Sequence, residues 1–148
     1  MEIERKFLIK ALPDNLDSYP CLHIEQGYLN VNPVVRIRKQ NDEYVLTYKG
    51  KGMMTREEYN LPLNKESYVH LKSKCDGNII SKRRYLIPLN GLTIELDVFD
   101  APFAPLTLAE VEFDSLEAAY TFSPPDWFAE DVTRRPEYHN SYMSRQVF

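Results

Sequence analysis

The sequence predicts a mainly β fold, an antiparallel barrel or sandwich with a few peripheral helices. Eight short runs alternate apolar and polar residues with a period of two, which is the side-chain period of a strand. Clusters of Pro, Gly, Asn or Asp separate these runs, and the ten Tyr and seven Phe residues also favour strands. The runs are EIERKFLI, HIEQGYLN, VVRIRKQ, EYVLTYKG, TREEYNLPL, IISKRRYLIPL, LTIELDVFD and TLAEVEFD.

Turns and helices account for much of the chain between the predicted strands. QNDE (40–43) and KGKG (49–52) predict hairpin turns. KGKG is not a phosphate-binding P-loop, because the Gly-Lys-Ser/Thr ending and a following helix are missing. The pattern predicts helices over 64–75 and 114–122, the second with Asp114 or Ser115 as its N-cap. It also predicts one helical turn within 14–19 and a helical tail from about Asn140.

The composition is that of an ordinary globular protein. The 148 residues are most simply one domain spanning 1–148, with 43% hydrophobic and 27% charged residues. The formal net charge of −4 argues against a protein that coats nucleic acid. We see neither a signal peptide nor an apolar run of membrane-spanning length, so we expect no membrane partner.

The cysteines and histidines give no sign of a disulfide or a zinc site. Cys21 and Cys75 lack CxxC spacing, so we interpret them as reduced core thiols of a cytoplasmic protein. His23, His70 and His139 are too scattered to suggest zinc ligands. A homodimer is a guess that the sequence neither supports nor opposes.

Like charges occur in pairs on one face of most predicted strands. Two-residue spacing puts Glu2, Glu4 and Lys6 on one face of the first strand. A solvent-facing side is the ordinary explanation, but such a side usually mixes both signs. Here the signs are segregated by strand yet balanced, with seven acids and seven bases. They are Glu2, Glu4, Glu58, Glu95, Asp97, Glu110 and Glu112, and Lys6, Arg36, Arg38, Lys49, Arg56, Lys82 and Arg84.

If the sheet closes with this face inward, its interior is a charged tunnel and its apolar face points outward. Burying so many like charges is very unfavourable unless counter-charges arrive. Clustered carboxylates suit Mg²⁺ or Mn²⁺, whereas clustered Arg and Lys side chains suit phosphate oxygens. The pattern therefore indicates a polyphosphate bound together with a divalent metal.

An ordered series of short motifs resembles the CYTH family, also called triphosphate tunnel metalloenzymes. The series begins with ExExK (2–6), and its order along nearly the whole chain makes it specific. QGYL (26–29) resembles the compact bacterial members, several of which hydrolyse inorganic tripolyphosphate. The remaining motifs are RxR (36–38), TxK (47–49), RxE (56–58), KxRY (82–85), ExD (95–97), AExE (109–112) and YHN (138–140).

This resemblance implies an eight-stranded antiparallel closed barrel whose lumen binds a triphosphate and metal ions, Mg²⁺ or Mn²⁺. It implies Glu2, Glu4, Glu110 and Glu112 as metal ligands, with Glu95 and Asp97 as further ligands or holders of water. Lys6 would bind phosphate or neutralise a carboxylate. The other residues implied in substrate binding are Arg36, Arg38, Lys49, Arg56, Glu58, Lys82 and Arg84.

Three residues are candidates for the chemistry itself. Glu4 would be needed for metal-dependent turnover, and Lys82 is the candidate for protonating the leaving phosphate. Tyr28 is either a core aromatic residue or a hydroxyl that enters the tunnel and orients the attacking water. A Tyr acting as a base would need nearby cations to lower its pKa.

The resemblance predicts hydrolysis of inorganic tripolyphosphate to pyrophosphate and phosphate. A class IV adenylate cyclase and a non-catalytic module that binds polyphosphate or nucleotide remain alternatives. The chain departs from the family pattern at Asn60, where relatives carry an acid, and at Arg135 and Glu137, where an acid and a base are exchanged. The segment 99–110 lacks the glycines common in that loop, so the tunnel mouth is expected to differ in shape.

Overall fold

Ten antiparallel strands make one curved sheet in the computed structural model, which describes all of residues 1–148. The mainly β prediction is confirmed. None of the helices is long and apolar enough to cross a membrane. The strands are β1 (Glu2–Ile9), β2 (Cys21–Val31), β3 (Val34–Gln40), β4 (Glu43–Lys49), β5 (Thr55–Arg56), β6 (Glu58–Leu63), β7 (Asp76–Leu89), β8 (Leu92–Phe99), β9 (Thr107–Glu112) and β10 (Phe128–Asp131). The helices are α1 (Lys65–Lys72), α2 (Leu116–Thr121) and α3 (Asn140–Met143), with 3₁₀ turns at Leu16–Ser18 and Pro136–Tyr138.

The sheet is not the closed eight-stranded barrel that the sequence predicted. Neighbouring strands follow the order β10-β1-β9-β8-β7-β2-β3-β4-β6, so the sheet has two ends. The predicted strand TREEYNLPL is interrupted at Glu57, and its two parts pair with different neighbours. The two-residue strand β5 pairs with β1, whereas β6 pairs with β4. No ladder joins β6 to β1, although strong curvature brings Arg56 opposite Glu2.

The predicted helices are found, some shorter than expected, and so is the QNDE turn, but the prediction of a hairpin turn at KGKG is wrong because β4 pairs with β6 and not with the next strand, β5. Helix α1 begins after Asn64, whose side chain accepts a hydrogen bond from the backbone N–H of Ser67, and α2 begins after Ser115. The predicted C-terminal helix is a single turn, α3. The β3–β4 hairpin turns at Asn41, whose φ of 51° lies in the left-handed region that Asn tolerates. KGKG opens a longer connection, 50–54, between β4 and β5.

The apolar face of the sheet points outward and forms the larger core. Leu96 of β8 and Val111 of β9 are fully buried there, beneath Ala119 of α2 and Phe128 of β10. We call this cluster the outer core. Its buried members are Phe7, Tyr85, Ile87, Ile94, Leu96, Ala109, Val111, Phe113, Ala119 and Phe128. Cys21 packs against its edge as a half-buried free thiol rather than lying deep inside it.

The inward face of the sheet is apolar at one end. Ile80, Phe99 and Leu108 occupy inward positions two residues away from Lys82, Asp97 and Glu110 respectively. Together with Tyr28, Val34, Phe103, Val132 and Met143 of α3, they form what we call the inner-end cluster. The charged part of the inward face therefore ends against an apolar floor.

Shortening one outer-core side chain is expected to destabilise the protein. Leu96 is 0% exposed, so Leu96→Ala should lower the free energy of unfolding by about 2–5 kcal/mol through lost burial and a residual cavity. Urea denaturation followed by circular dichroism measures this change. The control is Leu61→Ala at a side chain that is 58% exposed, where the change should stay within about 0.5 kcal/mol. Equal losses in both variants would contradict the outward placement of the core.

Candidate active site

A cavity of about 210 Å³ lies inside the curve of the sheet, and charged residues dominate its lining. Thirteen of its 20 lining residues are charged, and Val34 is the only aliphatic one. We call it the charged cavity. Its charged residues are Glu2, Glu4, Lys6, Arg36, Arg38, Lys49, Arg56, Glu58, Lys82, Arg84, Glu95, Glu110 and Glu112. These are all of the residues picked out by charge pairing in the sequence except Asp97.

Strand register places the charges in facing rows. On β1 and β9, Glu4 lies directly opposite Glu112 and Lys6 lies opposite Glu110. On β8 and β9, Glu95 lies opposite Glu110. Like charges at directly opposed positions are destabilising unless another group compensates them. Arg84 compensates the second pair, at 3.2 Å from Glu95 and 3.5 Å from Glu110, whereas the Glu4–Glu112 pair has no such cation.

One group of charges compensates itself at the β1–β4–β5 side of the cavity. Lys49 Nζ lies 2.9 Å from Glu2 Oε2 and 3.4 Å from Glu58 Oε2. Arg56 Nε lies 3.3 Å from Glu2 Oε1. Burial favours a higher pKa for Glu2, but Lys49 and the other neighbours outweigh it and lower this pKa to about 2.

A second compensated group is centred on Asp97, which is 0% exposed and does not line the cavity. Asp97 Oδ2 lies 2.7 Å from Lys82 Nζ, and Asp97 Oδ1 lies 2.7 Å from Arg84 Nε. Arg84 also reaches Glu95 at 3.2 Å, and Lys82 Nζ lies 5.2 Å from the ring centre of Phe99. The sequence placed Asp97 among the metal ligands, but the structure places it behind two cations that occupy both of its oxygens.

Two of the three buried lysines of the cavity, Lys6 and Lys82, are in different electrostatic settings. Lys6 Nζ lies 3.2 Å from Glu110 Oε1; burial opposes its charge, but Glu110 and Glu4 raise the pKa of Lys6. At Lys82, burial is the largest effect and Arg84 adds to it, so the pKa falls to about 7 despite Asp97. Lys82 is therefore the cavity base that can gain or lose a proton near neutral pH.

Glu4 and Glu112, which we call the glutamate pair, have no cationic partner. Neither side chain makes an ion pair or hydrogen bond, although Glu4 is buried and Glu112 is exposed at the cavity rim. Burial, Glu110 and Glu2 raise the pKa of Glu4 to about 8, and burial and Glu2 also raise that of Glu112. The cavity contains no ready-made cluster of three or more metal-binding side chains. The glutamate pair nevertheless offers hard carboxylate oxygens, which suit a small divalent cation.

Arg36 and Arg38, which we call the arginine pair, have no anionic partner. Both are buried and both come from β3. Arg36 Nη2 donates to Thr47 Oγ1 at 3.2 Å, and its buried Nε has no partner. Arg38 Nε donates to Gln26 Oε1 at 2.8 Å. Burial, followed by the charges of Arg36 and Arg84, lowers the pKa of Arg38 to about 9. This is the direction expected of a buried guanidinium group that has no anion beside it.

Comparison with known proteins agrees with this architecture. A family model described as "CYTH domain" matches residues 1–120. The chain belongs to the CYTH family. It is 38% identical over 151 residues to the inorganic triphosphatase of Nitrosomonas europaea, covering 99% of this chain and 98% of that protein. It is 33% identical to the inorganic triphosphatase of Acetivibrio thermocellus, covering 99% of this chain and 95% of that protein.

Solved structures show the same fold. The crystal structure of an inorganic triphosphatase has a TM-score of 0.74 to this CYTH protein, with 36% identity and coverage of 99% of this chain and 96% of that one. A protein from Pyrococcus horikoshii has a TM-score of 0.60 with 20% identity, covering 78% of this chain and 80% of that one. The second likeness concerns the fold alone.

The sequence left open whether Tyr28 of this CYTH chain is a core residue or a cavity residue, and the structure places it in both environments. It is 3% exposed and belongs to the inner-end cluster, yet it also lines the charged cavity. Its hydroxyl oxygen lies 3.5 Å from Gln26 Nε2. The tyrosine therefore stands where the apolar floor meets the charged walls.

The structure adds uncharged cavity residues that sequence reasoning missed. Gln40, His139, Asn140 and Ser141 all line the cavity, and the fully buried Gln26 lies behind it in contact with Arg38 and Asn140. His139 Nε2 donates to the carbonyl oxygen of Thr133 at 2.7 Å, and burial followed by Lys6 lowers its pKa to about 4, so it is neutral at pH 7. The only sequence signals were that Gln26 precedes Tyr28 by two residues, and that YHN belongs to the motif series.

The departures from the CYTH pattern fall inside and outside the cavity. Asn60 lines it, and its Oδ1 accepts a hydrogen bond from Thr47 Oγ1 at 2.6 Å. Arg135 and Glu137 form an exposed ion pair at 2.8 Å and do not line the cavity. In the glycine-poor β8–β9 loop, Phe103 is buried in the inner-end cluster, so this loop helps to close the apolar floor.

Removing the Asp97 carboxylate is expected to weaken the fold. Asp97→Asn leaves Lys82 and Arg84 buried without their shared anion, which should cost about 3–5 kcal/mol of unfolding free energy. Glu95→Gln is the matched control; the Glu95 side chain is 30% exposed and its variant should cost less than about 1 kcal/mol. Urea denaturation compares the two. Equal effects would mean that Asp97 does not anchor these cations.

Proposed function

We propose that this protein is a metal-dependent triphosphatase that hydrolyses inorganic tripolyphosphate to pyrophosphate and phosphate. One observation carries the proposal: the same cavity contains an arginine pair without an anion and a glutamate pair without a cation. A bound metal triphosphate supplies both missing charges at once. The names of the two relatives, inorganic triphosphatases at 38% and 33% identity, support the same activity.

The arginine pair would make the primary contacts with the phosphates. Guanidinium groups bind phosphate oxygens with paired, charge-assisted hydrogen bonds, and the Nε of Arg36 is buried without a partner. Lys49, Arg56, Arg84 and Lys6 would bind further oxygens by sharing or exchanging their present carboxylate partners. Glu58, which lies 3.4 Å from Lys49, would position that lysine rather than bind phosphate itself.

The glutamate pair would hold the metal, with Glu2, Glu110 and Glu95 beside it. Their oxygens fit Mg²⁺ and Mn²⁺ equally well. A divalent ion bound there would neutralise phosphate oxygens and lower the pKa of a bound water. We leave Asp97 out of this set because its oxygens are occupied by Lys82 and Arg84.

The protein's own residues would then align the chain and manage the protons. The cations hold the terminal phosphorus in line with the attacking water, whose oxygen bonds to phosphorus as the bond to the bridging oxygen breaks. Lys82, with its pKa of about 7, would donate a proton to that bridging oxygen. The Tyr28 hydroxyl would orient the water from the cavity floor, and both protons of that water would leave with the product orthophosphate.

The proposal covers residues 1–148 as one domain. His139, Asn140 and Ser141, which follow the residues matched by the family model, line the same cavity as Glu2 and Glu4. A cytoplasmic location, a homodimer and the absence of nucleic-acid and membrane partners stay predictions. Class IV adenylate cyclase activity and binding without turnover are the outcomes that the following experiment separates.

A substrate panel is expected to give orthophosphate and pyrophosphate from tripolyphosphate when Mg²⁺ or Mn²⁺ is added. The purified protein is incubated with tripolyphosphate, ATP, GTP or thiamine triphosphate, each with Mg²⁺, Mn²⁺ or Ca²⁺, and the products are separated by ion-exchange chromatography. Cyclic AMP from ATP would instead show a cyclase. Tight binding of tripolyphosphate without any product would show a non-catalytic module.

Two variants should affect different kinetic constants. Glu4→Gln removes a metal-binding carboxylate and should lower kcat on the order of 100-fold or more. Arg38→Ala removes a charge-assisted phosphate contact and should raise KM by about 10- to 100-fold.

The matched controls are Glu43→Gln and Arg83→Ala, which change exposed side chains on β4 and β7. Steady-state phosphate release and thermal unfolding are measured for all four proteins. Wild-type kinetics in Glu4→Gln or Arg38→Ala would remove that residue from the proposed site.

A further inference from the structure

Neutral side chains hold the arginine pair, whereas acidic side chains hold the other cavity bases. Lys49 and Arg56 contact Glu2, Lys6 contacts Glu110, and both Lys82 and Arg84 contact Asp97. The two partners of the arginine pair are an amide, Gln26, and a hydroxyl, Thr47.

The Gln26 amide is at the centre of a buried polar chain. Gln26 is 0% exposed, and its Oε1 accepts from Arg38 Nε at 2.8 Å. Its Nε2 donates to Asn140 Oδ1 at 3.2 Å, and the same Asn140 oxygen accepts from Lys82 Nζ at 3.1 Å. The chain of contacts therefore joins Arg38 on β3 to Lys82 on β7 through β2 and α3.

A parallel arrangement holds Arg36. Thr47 Oγ1 accepts from Arg36 Nη2 at 3.2 Å and donates to Asn60 Oδ1 at 2.6 Å. Asn60 also lines the charged cavity and carries no charge. Both arginines are thus oriented by donating hydrogen bonds to groups that carry no charge.

We propose that Gln26 is a positioning residue that orients Arg38 directly, and Lys82 through Asn140, while leaving the positive charge of Arg38 available to the substrate. This inference rests on the proposed triphosphatase function. A carboxylate at position 26 would keep the acceptor for Arg38 but would also form an ion pair with it. The triphosphate would then have to displace that carboxylate, because both anions need the same guanidinium group. A neutral amide avoids this competition.

The test compares an added charge with a lost hydrogen bond at the same site. Gln26→Glu adds a negative charge at nearly constant shape and keeps the acceptor for Arg38, although it loses the Nε2 donor to Asn140. Gln26→Met removes the hydrogen bonds to Arg38, Asn140 and Tyr28 without adding charge. Gln146→Glu adds the same charge at an exposed position and is the matched control. Isothermal titration calorimetry measures tripolyphosphate binding to each protein without added metal, and circular dichroism measures thermal unfolding.

Gln26→Glu is expected to weaken tripolyphosphate binding by about tenfold or more, because its carboxylate competes for Arg38. Its unfolding temperature should stay close to that of the wild type, because the ion pair gained with Arg38 offsets the hydrogen bond lost to Asn140. Gln26→Met should weaken binding by roughly threefold, and Gln146→Glu should bind as the wild type does. In steady-state assays the Gln26→Glu change should appear mainly in KM.

Two results would overturn the inference. One is wild-type affinity in Gln26→Glu, and the other is an equal loss of affinity in Gln26→Glu and Gln26→Met, which would indicate a structural role alone. The wild-type protein tests the proposed function separately: if it binds tripolyphosphate without hydrolysing it, the triphosphatase assignment fails, while the comparison among the Gln26 variants still decides the positioning role.

Discussion

Unbalanced charge on the inward face of the sheet is the constraint on which the rest of this structure depends. Ion pairs within the protein neutralise Glu2, Asp97 and Glu110, but they leave the arginine pair and the glutamate pair on the walls of one cavity. The buried arginine charges without an anion are unfavourable, and the pKa of about 8 for Glu4 means that its negative charge is disfavoured too. A ligand of mixed charge removes both electrostatic costs. The proposed binding site is thus the part of the protein in which charged side chains lack partners of opposite charge.

The apolar residues make this cost tolerable by packing elsewhere. The outer core lies on the convex side of the sheet beneath α2 and β10, and the inner-end cluster fills one end of the concave side. Burial of these two clusters stabilises the sheet without requiring apolar residues along the cavity walls. The usual arrangement of a sheet with one wet face is therefore retained, but the wet face is curved around the site.

Much of the site could be predicted from the sequence because side-chain direction in a strand depends only on parity. Thirteen of the fourteen residues selected by charge pairing line the cavity. Asp97 is the exception because Lys82 and Arg84 lie on its two oxygens, and strand parity does not predict such ion pairs. Closure of the sheet was mispredicted because a single irregular residue, Glu57, divides one strand between two neighbours. Strand β10 was missed because FAED has only one large apolar residue, and its pairing with β1 is a long-range contact. The contact between Gln26 and Asn140 could not be predicted either, because these residues lie far apart in the sequence.

The cavity joins Glu2 on β1 to Asn140 on α3, residues that are separated by nearly the full length of the 148-residue sequence. Its walls therefore cannot all come together until the residues up to Ser141 have left the ribosome, and β1 must wait for β9 and β10 to arrive. During that wait the inward charges are hydrated, so the nascent β1 exposes polar groups on one face. Only its other face, with Ile3 and Phe7, needs protection from premature association.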